Sequence, residues 1–234
     1  MRKVTVNGKF EIILPEHRAD RPQWYTEEGW EKKRLESMHK SLGKDDILFY
    51  VGAEEGDMPA LCQMWGAELV LFEPNPKVWP NIKAIWEANK LEPAWCFVGF
   101  ASNETSNPEF LKDTPKIHAS FPPCADGEII SDHGFMELRS HNAPEVRLDD
   151  VVGMINKVPT AISIDVEGSE WQVLRGSMQI LKKVKPKLWL SLHPEFMYEH
   201  YKEYAFDLRY WLKNEFGYKE TLLDYQHEVH LLYE

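Results

Sequence analysis

Apolar runs of strand length alternate with helical patterns along most of the chain. Each run is short and nearly continuous, as expected for parallel strands that are buried on both faces. Five runs are interpreted as such strands: 46–51, 68–72, 95–100, the run that ends at Asp165, and 187–192. Strands and helices that alternate in this way predict an α/β fold, a mostly parallel sheet with helices on both faces. Two more strands, near 218–225 and 228–233, are close enough for a tight turn, which makes the last strand antiparallel.

The remaining patterns predict the helices and an amino-terminal hairpin. Residues 3–14 alternate around Asn7-Gly8, which is a strong signal for a β-hairpin. Helices are predicted over 26–42, 57–65 and 195–216. A further helix is predicted to begin at Pro76 with Asn75 as its cap. The helical spacing of Trp171, Leu174, Met178 and Leu181 predicts another after Asp165. The sequence therefore predicts a hairpin and helix extension over 1–45, one α/β domain over 46–234, and an insertion over 102–147 on its substrate side.

Composition and charge narrow the possible partners. The 234 residues are 43% apolar and 28% charged, and 27 basic against 38 acidic residues give a net charge of −11. Nucleic acid is disfavoured as a partner because no basic cluster stands out beyond residues 31–34. Without a membrane-length apolar run or a signal peptide, we expect a cytoplasmic protein with no membrane contact. Three scattered cysteines predict reduced thiols: Cys62, Cys96 and Cys124.

A glycine turn and an acidic strand end suggest a nucleotide-type ligand. The turn after the first parallel strand contains Gly52 and Gly56, and Glu73 ends the next strand 21 positions after Gly52. An acidic side chain in that place can accept both hydrogen bonds of a ribose diol. Acidic residues in the turn would repel a phosphate. S-adenosylmethionine, which carries a cationic sulfonium, therefore fits this pattern better than NAD or ATP.

Two carboxylates follow the run that ends at Asp165. Asp165 and Glu167 are two positions apart, so in an extended segment both side chains point to the same side of the sheet. Ligands of α/β proteins bind beyond the carboxyl ends of the strands. Asp165 and Glu167 are therefore the leading candidates for chemistry.

Four segments resemble the FkbM family of class I S-adenosylmethionine-dependent methyltransferases. They are Val51-Gly52-Ala53-Glu54-Glu55-Gly56, Phe72-Glu73-Pro74-Asn75-Pro76, Val146-Arg147-Leu148-Asp149-Asp150 and Ile164-Asp165-Val166-Glu167-Gly168-Ser169-Glu170. The resemblance implies a Rossmann-like sheet of seven strands with an antiparallel last strand. It also implies methyl transfer, usually to a hydroxyl of a sugar or another small metabolite.

The resemblance also assigns a cofactor site, with two departures. Residues expected to contact the cofactor are Tyr50, Gly52, Ala53, Glu54, Gly56, Glu73, Pro74, Asn75, Ala101, Ser102 and Asp165. Tyr50 stands where the family usually has an acidic residue, and Glu54-Glu55 stand where it usually has Asn-Ile. A carboxylate from the turn is one way to replace the missing acid, because the cationic amine and sulfonium need an anionic lining.

Catalysis of methyl transfer to a hydroxyl requires a group that removes its proton. We expect Asp165 to orient the acceptor or the methionine end of the cofactor, and Glu167 or His193 to take the proton. The alternative is that Glu167 caps the next helix and that His193, before Pro194, only completes a turn. No third carboxylate lies at a recognisable spacing, so no metal site is predicted.

The insertion and the aromatic helix leave the partners open. The insertion carries His118, Phe121-Pro122-Pro123, His133, Phe135, Arg139 and His141, residues suited to a sugar or another small acceptor. Trp24, Tyr25, Trp30 and Glu31 either fold over the cofactor site or anchor their helix. The aromatic helix near 195–216 either packs on the sheet or forms a homodimer surface. Two rival functions remain, a non-catalytic binding or scaffold protein and a nicotinamide-dependent oxidoreductase.

Overall fold

The structure is a computed structural model that describes residues 1–21, 29, 31–106, 117–131, 143–225 and 228–234. Several residues singled out in the sequence lie outside this described part: Trp24, Tyr25, Trp30, His133, Phe135, Arg139 and His141. No helix in the described part is long and apolar enough to cross a membrane.

The described chain builds one large sheet and two small ones. The strands are β1 (Arg2–Val6), β2 (Phe10–Leu14), β3 (Ile47–Val51), β4 (Glu68–Phe72), β5 (Trp95–Phe97), β6 (Phe100–Ala101), β7 (Ile117–Ala119), β8 (Glu145–Val146), β9 (Ala161–Ile164), β10 (Lys187–Leu192), β11 (Glu220–Tyr225) and β12 (Val229–Tyr233). The large sheet has the order β11-β12-β10-β9-β3-β4-β5-β7. Strands β3, β4, β5, β9 and β10 run parallel, whereas β12 pairs with β10 and β11 in the antiparallel direction. The prediction of a mostly parallel sheet with an antiparallel last strand is confirmed.

Helices cover both faces of this sheet. In chain order they are α1 (Glu16–Ala19), α2 (Lys32–Ser41), α3 (Asp57–Met64), α4 (Trp79–Ala88), α5 (Leu148–Ile155), α6 (Glu170–Arg175), α7 (Met178–Lys183), α8 (Pro194–Tyr201) and α9 (Ala205–Glu215), with a short 3₁₀ helix at Pro123–Asp126. Alternate residues of each central strand join two separate buried clusters, because successive side chains of a strand point to opposite faces. Tyr50 belongs to one cluster and its neighbours Phe49 and Val51 belong to the other.

The amino-terminal segment covers the Tyr50 face. The predicted hairpin is present as β1 and β2, and both Asn7 and Gly8 have positive φ angles, as a tight hairpin turn requires. Hairpin residues pack in the same cluster as Leu35 and Met38 of α2. The segment before β3 is therefore part of the core, and it brings α1 and α2 to the candidate site.

Two predicted helices are each divided in two. The helix after Asp165 ends at Arg175 and restarts at Met178, and in the break Gly176 packs with its α-carbon against Ser102, where a Cβ would lie 1.9 Å from the Ser102 carbonyl oxygen. The helix predicted over 195–216 is interrupted after Tyr201, where Lys202 has a left-handed φ of 57°. Both predictions of a continuous helix were wrong.

The second half of the sheet also differs from the prediction. The strand expected over 95–100 splits into β5 and β6, and β6 pairs with β8 in a separate two-stranded sheet. Strand β7 of the insertion adds an antiparallel edge, so the described sheet has eight strands where seven were expected. Helix α4 begins at Trp79, not at Pro76, because the Asn75 side chain closes a turn by accepting a hydrogen bond from the Lys77 backbone N–H.

Candidate functional site

The ends of four neighbouring strands meet at one edge of the sheet. Val51 pairs with Phe72 of β4 and with Ile164 of β9, and Ile164 pairs with Leu190 of β10. Because these strands are parallel and in register, the residues that follow them lie side by side. Gly52, Glu73 and Asp165 are therefore neighbours, as the sequence predicted, and His193 follows at the end of β10.

The glycine turn is held by packing as well as by conformation. Gly52 has a φ of 86°, and a Cβ there would lie 1.8 Å from the backbone oxygen of Asp165. The backbone N–H groups of Gly52 and Ala53 both donate to the carbonyl oxygen of Phe72. Gly56, with a φ of 83°, lies against the side chain of Ile82. The turn is thus clamped between the ends of β4 and β9.

Glu73 is the buried carboxylate that ties this turn to the next strand end. One of its oxygens accepts a hydrogen bond from the Glu54 backbone N–H at 3.0 Å, and the other accepts one from the Asn75 backbone N–H at 2.8 Å. Burial raises the pKa of Glu73 to about 7, although these two hydrogen bonds lower it in part. Each carboxylate oxygen keeps a second acceptor position, so the pair can still accept from a diol.

The acidic residues of the turn bind the amino-terminal segment. The side chain of Arg18, on α1, is fully buried and donates to both oxygens of Glu54, at 2.9 and 3.0 Å, and to Asp57 at 2.8 Å. Glu55 is also fully buried, and one of its oxygens lies 2.8 Å from the Nε2 atom of His17. Glu54 and Glu55 therefore act first as partners of this segment, which accounts for the departure from the usual Asn-Ile.

A second buried arginine lies over Tyr50 and holds Asp165. Arg34 of α2 donates to Asp165 Oδ2 at 2.9 Å and to Ser163 Oγ at 2.7 Å, and it also bonds to Glu31. Its guanidinium lies 6.0 Å from the centre of the Tyr50 ring. Tyr50 and Ser163 pair across β3 and β9 and share the face that α2 covers. Where the family usually has an acid, this chain therefore has a buried tyrosine beneath a cation.

His193 is surrounded by carboxylates. Its Nδ1 lies 2.8 Å from Glu170 and its Nε2 lies 2.7 Å from Glu228. The same Nε2 is 3.7 Å from Asp165 and 3.5 Å from Glu167. Burial lowers the pKa of His193, but its contacts with Glu170 and Glu228 outweigh burial and raise the pKa to about 11. His193 is therefore an imidazolium near neutral pH and has no free lone pair with which to accept a proton.

Glu167 is better suited to accept a proton. Its side chain is 56% exposed, and burial of the remainder raises its pKa to about 6, while His193 lowers it in part. The expected extended backbone is absent here, since β9 ends at Ile164 and Glu167 has a φ of 51°. Asp165 and Glu167 nevertheless approach the same imidazole. The backbone N–H of Gly168 donates a hydrogen bond to the side chain of Glu170, not to that of Glu167. The structural role considered for Glu167, ahead of the next helix, therefore belongs to Glu170.

Two of the expected cofactor residues lie on a different element. Ala101 belongs to β6, and the Ser102 carbonyl packs against Gly176 in the break between α6 and α7. The Ser102 hydroxyl contacts the side chain of Asn103. Their role in cofactor binding stays a prediction from the resemblance.

The carboxylates at the site also have the spacing of cation ligands. Within the described residues, two groups have oxygen or nitrogen atoms within 4.8 Å of one another, and both include Asp165. The first adds Glu167 and His193, and the second adds Glu31 and Glu228. Both ring nitrogens of His193 already face carboxylates, and Arg34 neutralises part of the second group. The arrangement favours an organic cation over a metal ion.

Sequence reasoning missed four charged residues at the site: Arg18, Arg34, Glu170 and Glu228. One signal was available in the sequence, and one contact follows only from the strand register. Ser163 interrupts an apolar strand, and a buried hydroxyl needs a partner, which is Arg34. The register of β10 with β12 pairs Leu192 with Val229 and so places Glu228 opposite His193.

Comparison with known proteins identifies a family. A model described as the methyltransferase FkbM domain matches residues 50–220. No curated protein matches the sequence. Among solved structures, the FkbM methyltransferase from Methylobacillus flagellatus KT has a similar fold, with a TM-score of 0.54 and 16% identity. The similarity covers 82% of this chain and 44% of that protein, so the chain spans less than half the length of that relative.

Two further solved structures are more distant. An rRNA methylase from Streptococcus thermophilus has a TM-score of 0.49 and 10% identity, over 86% of this chain and 93% of that one. A precorrin-6y C5,15-methyltransferase from Geobacter metallireducens GS-15 has a TM-score of 0.45 and 11% identity, over 88% and 87% of the two chains. At these identities the comparisons concern the fold alone.

Proposed function

Because the chain belongs to the FkbM methyltransferase family, we propose that it transfers a methyl group from S-adenosylmethionine to a hydroxyl group of a small molecule or glycan. One observation carries the proposal. Gly52, Glu73 and Asp165 lie together at the carboxyl edge of the sheet, and the backbone of the glycine turn bonds directly to Glu73. Open α/β sheets bind their ligands at this edge.

The donors and charges of the site suit this cofactor. Glu73 keeps acceptor capacity on both oxygens for the ribose diol. Asp165, Glu167 and Glu228 place more negative than positive charge around Arg34 and His193, which favours a ligand with a cationic centre. When bound, S-adenosylmethionine supplies a methyl group on a sulfonium, which a hydroxyl oxygen can attack in line.

The protein's own groups then have distinct roles. Asp165, held by Arg34, orients the acceptor hydroxyl or the methionine end of the cofactor. Glu167 takes the hydroxyl proton, because it is exposed to the edge of the site and its pKa of about 6 leaves it ionised near neutral pH. His193, the other residue expected to take the proton, is a positioning residue. As an imidazolium it holds Glu167 and Asp165 near one point.

The first experiment is calorimetric titration with S-adenosylmethionine and S-adenosylhomocysteine. We expect micromolar affinity for at least one of them in the wild type, and a loss of at least tenfold in Glu73→Ala. Glu68→Ala is the matched control, because Glu68 begins the same strand that Glu73 follows and pairs with Lys157 on the surface. No binding by the wild type at millimolar ligand would refute the proposal.

One observation favours a second candidate, a non-catalytic binding protein with this fold. Tyr50 stands where the family usually has an acid. Arg34 places a buried cation over Tyr50 and neutralises part of the charge of Asp165. A protein of this kind would show no S-adenosylmethionine binding, or binding without methyl transfer to any acceptor. The nicotinamide alternative loses support, because the family model that matches this chain is that of a methyltransferase.

A further inference from the structure

Three carboxylates from separate parts of the chain converge on one point beside the candidate site. Glu31 comes directly before α2, Asp165 directly after β9, and Glu228 directly before β12. An oxygen of each lies within 4.8 Å of an oxygen of the other two. The three side chains are 10%, 21% and 17% exposed in that order, so the group is mostly buried but keeps some access to solvent.

Arg34 satisfies only part of this group. Its Nη1 atom bonds to Oε2 of Glu31 and donates to Oδ2 of Asp165 at 2.9 Å. The other oxygen of Glu31, Oε1, has no hydrogen-bond partner among the described residues, although Glu31 is buried. A buried acceptor without a donor costs free energy. This oxygen is therefore a position at which a ligand can supply the missing donor.

The charge of the region is also unbalanced. Burial raises the pKa of Glu31 to about 7, and Asp165 and Glu228 raise it further, although Arg34 lowers it in part. His230, beside Glu228, adds no positive charge near neutral pH, because burial and Arg34 lower its pKa to about 4. Two cations therefore face five carboxylates in this part of the chain: Arg34 and His193 against Glu31, Asp165, Glu167, Glu170 and Glu228. A further cation is favoured here.

The arrangement of acceptors selects a primary ammonium as that cation. A nitrogen placed among the three carboxylates can lie within hydrogen-bond distance of an oxygen of each. A primary ammonium has three N–H donors, one for each carboxylate, whereas a sulfonium has none. S-adenosylmethionine carries both kinds of cation, and its ammonium is on the methionine end.

The position of the three carboxylates agrees with the rest of the site. The backbone of Asp165 packs against Gly52 of the glycine turn, so the group lies beside that turn. Glu54 of the turn is bound through both oxygens by Arg18. The carboxylate that the sequence offered in place of the missing acid is thus already engaged, whereas Glu31 keeps one oxygen for a ligand.

We propose that Glu31, with Asp165 and Glu228 beside it, binds the ammonium on the methionine end of the cofactor. This inference rests on the proposed function, for which it names the residue that recognises the amino-acid part of S-adenosylmethionine. The acid that is absent from β3 at Tyr50 is then supplied by the amino-terminal segment. That segment is therefore part of the cofactor site as well as of the core.

The test is calorimetric titration of the full chain with three ligands. They are S-adenosylhomocysteine, its desamino analogue, which keeps the carboxylate but lacks the ammonium, and methylthioadenosine, which lacks the whole amino-acid end. We expect the wild type to bind S-adenosylhomocysteine about tenfold or more tightly than the desamino analogue. In Glu31→Gln this preference should disappear, while the affinity for methylthioadenosine stays within about twofold. The amide of Gln can still accept a hydrogen bond from Arg34, so this variant keeps the packing around the guanidinium.

A second variant and a control locate the effect. Glu228→Gln should weaken the same preference, and Glu36→Gln, a half-buried change on α2, should leave all three affinities unchanged. Equal losses for all three ligands in both site variants would assign Glu31 and Glu228 to structure alone and overturn the inference. An unchanged preference in both would overturn it too.

The wild type separates this inference from the proposed function. Equal affinity for S-adenosylhomocysteine and its desamino analogue would refute the ammonium site and leave the proposed function standing. Failure to bind any of the three ligands would refute the proposed function itself. Binding of S-adenosylhomocysteine that requires Mg²⁺, and loses this requirement in Glu31→Gln, would assign the three carboxylates to a metal ion and overturn the inference.

Discussion

Two buried arginines from the amino-terminal segment bind the two loops of the candidate site in different ways. Arg18 binds Glu54 and Asp57, which lie three positions apart around the glycine turn, and it meets each of these carboxylates through two contacts. Arg34, on α2, binds two groups at the end of one strand, Ser163 within β9 and Asp165 just after it. The first arginine fixes the shape of one turn, and the second joins a helix to a strand end.

The Arg18 cluster (Arg18, Glu54 and Asp57) and the Arg34 cluster (Arg34, Ser163 and Asp165) also differ in how completely the charged groups are hydrogen-bonded. Arg18 is fully buried and Asp57 is 2% exposed, whereas Glu54, the outer carboxylate of this cluster, is 46% exposed. The Asp165 side chain keeps 21% of its surface exposed, and the Nε atom of Arg34 has no hydrogen-bond partner among the described residues. Two carboxylates bind the Arg18 guanidinium, which favours a structural role for this cluster. The open cluster around Arg34 leaves a guanidinium nitrogen unbonded and Asp165 able to contact a ligand. The difference assigns stability to Arg18 and function to Arg34.

The largest effect is expected from Arg18→Met. Removing one partner of a buried ion pair leaves an uncompensated charge and typically costs about 3–5 kcal/mol of the free energy of unfolding. Urea unfolding followed by circular dichroism measures this loss. Adding Glu54→Gln and Asp57→Asn to Arg18→Met should recover part of it, because the carboxylates that lost their partner, above all the buried Asp57, are then neutral. Unchanged stability of the single variant would contradict the structural role.

The pH dependence of the free energy of unfolding tests the charge on His193, which lies beside Asp165. The pKa of His193 rises from about 6.5 in an unfolded chain to about 11 in the fold, so the imidazolium stabilises the fold fully below about pH 6.5. This stabilisation is lost as the pH rises toward 11, by at most about 1.4 kcal/mol per pH unit. His193→Gln should flatten the alkaline slope of the unfolding free energy. His200→Gln, an exposed change on the same helix, should keep it, and equal slopes in both variants would argue against a buried imidazolium.

Conservative replacement of each arginine by lysine separates the two roles. In Arg34→Lys a single ammonium cannot bond Ser163 and Asp165 with the geometry of the guanidinium, so we expect turnover to fall on the order of 10- to 100-fold. S-adenosylhomocysteine affinity should stay within about threefold, since Glu73 is unchanged. Arg18→Lys should show the reverse, weaker cofactor binding with turnover of the bound complex retained. Calorimetry and methyl transfer to an acceptor found by screening measure the two quantities, and identical effects of both changes would remove the distinction.

The sequence predicted the parts of this site that depend on local pattern. Buried strands are short apolar runs, so the ends of β3, β4 and β9 and the residues Glu73 and Asp165 follow from periodicity and from the geometry of a parallel sheet. The helix breaks at Gly176 and Lys202 did not follow, because each results from one close packing contact or one backbone angle.

The arginine clusters were not predictable in this way. Arg34 lies 131 positions from Asp165 along the chain, and Arg18 lies 39 positions from Asp57. Both pairs form only after the amino-terminal segment packs on the sheet, and no local periodicity specifies that packing. The departure at Glu54-Glu55 was visible in the sequence, but its partner Arg18 was not.

The smallest effect is expected from Asp165→Asn, as a change in the ratio of the affinities for S-adenosylmethionine and S-adenosylhomocysteine. S-adenosylmethionine carries a positive charge on sulfur that S-adenosylhomocysteine lacks, so an ionised carboxylate near the sulfur stabilises the first ligand selectively. Arg34 neutralises part of Asp165, and we therefore expect Asp165→Asn to weaken S-adenosylmethionine binding about tenfold more than S-adenosylhomocysteine binding, a difference of about 1.4 kcal/mol. Asp207→Asn, an exposed change on α9, should leave the ratio of the two affinities unchanged. An unchanged ratio in Asp165→Asn would place the sulfur away from Asp165 and would assign the open cluster to the acceptor alone.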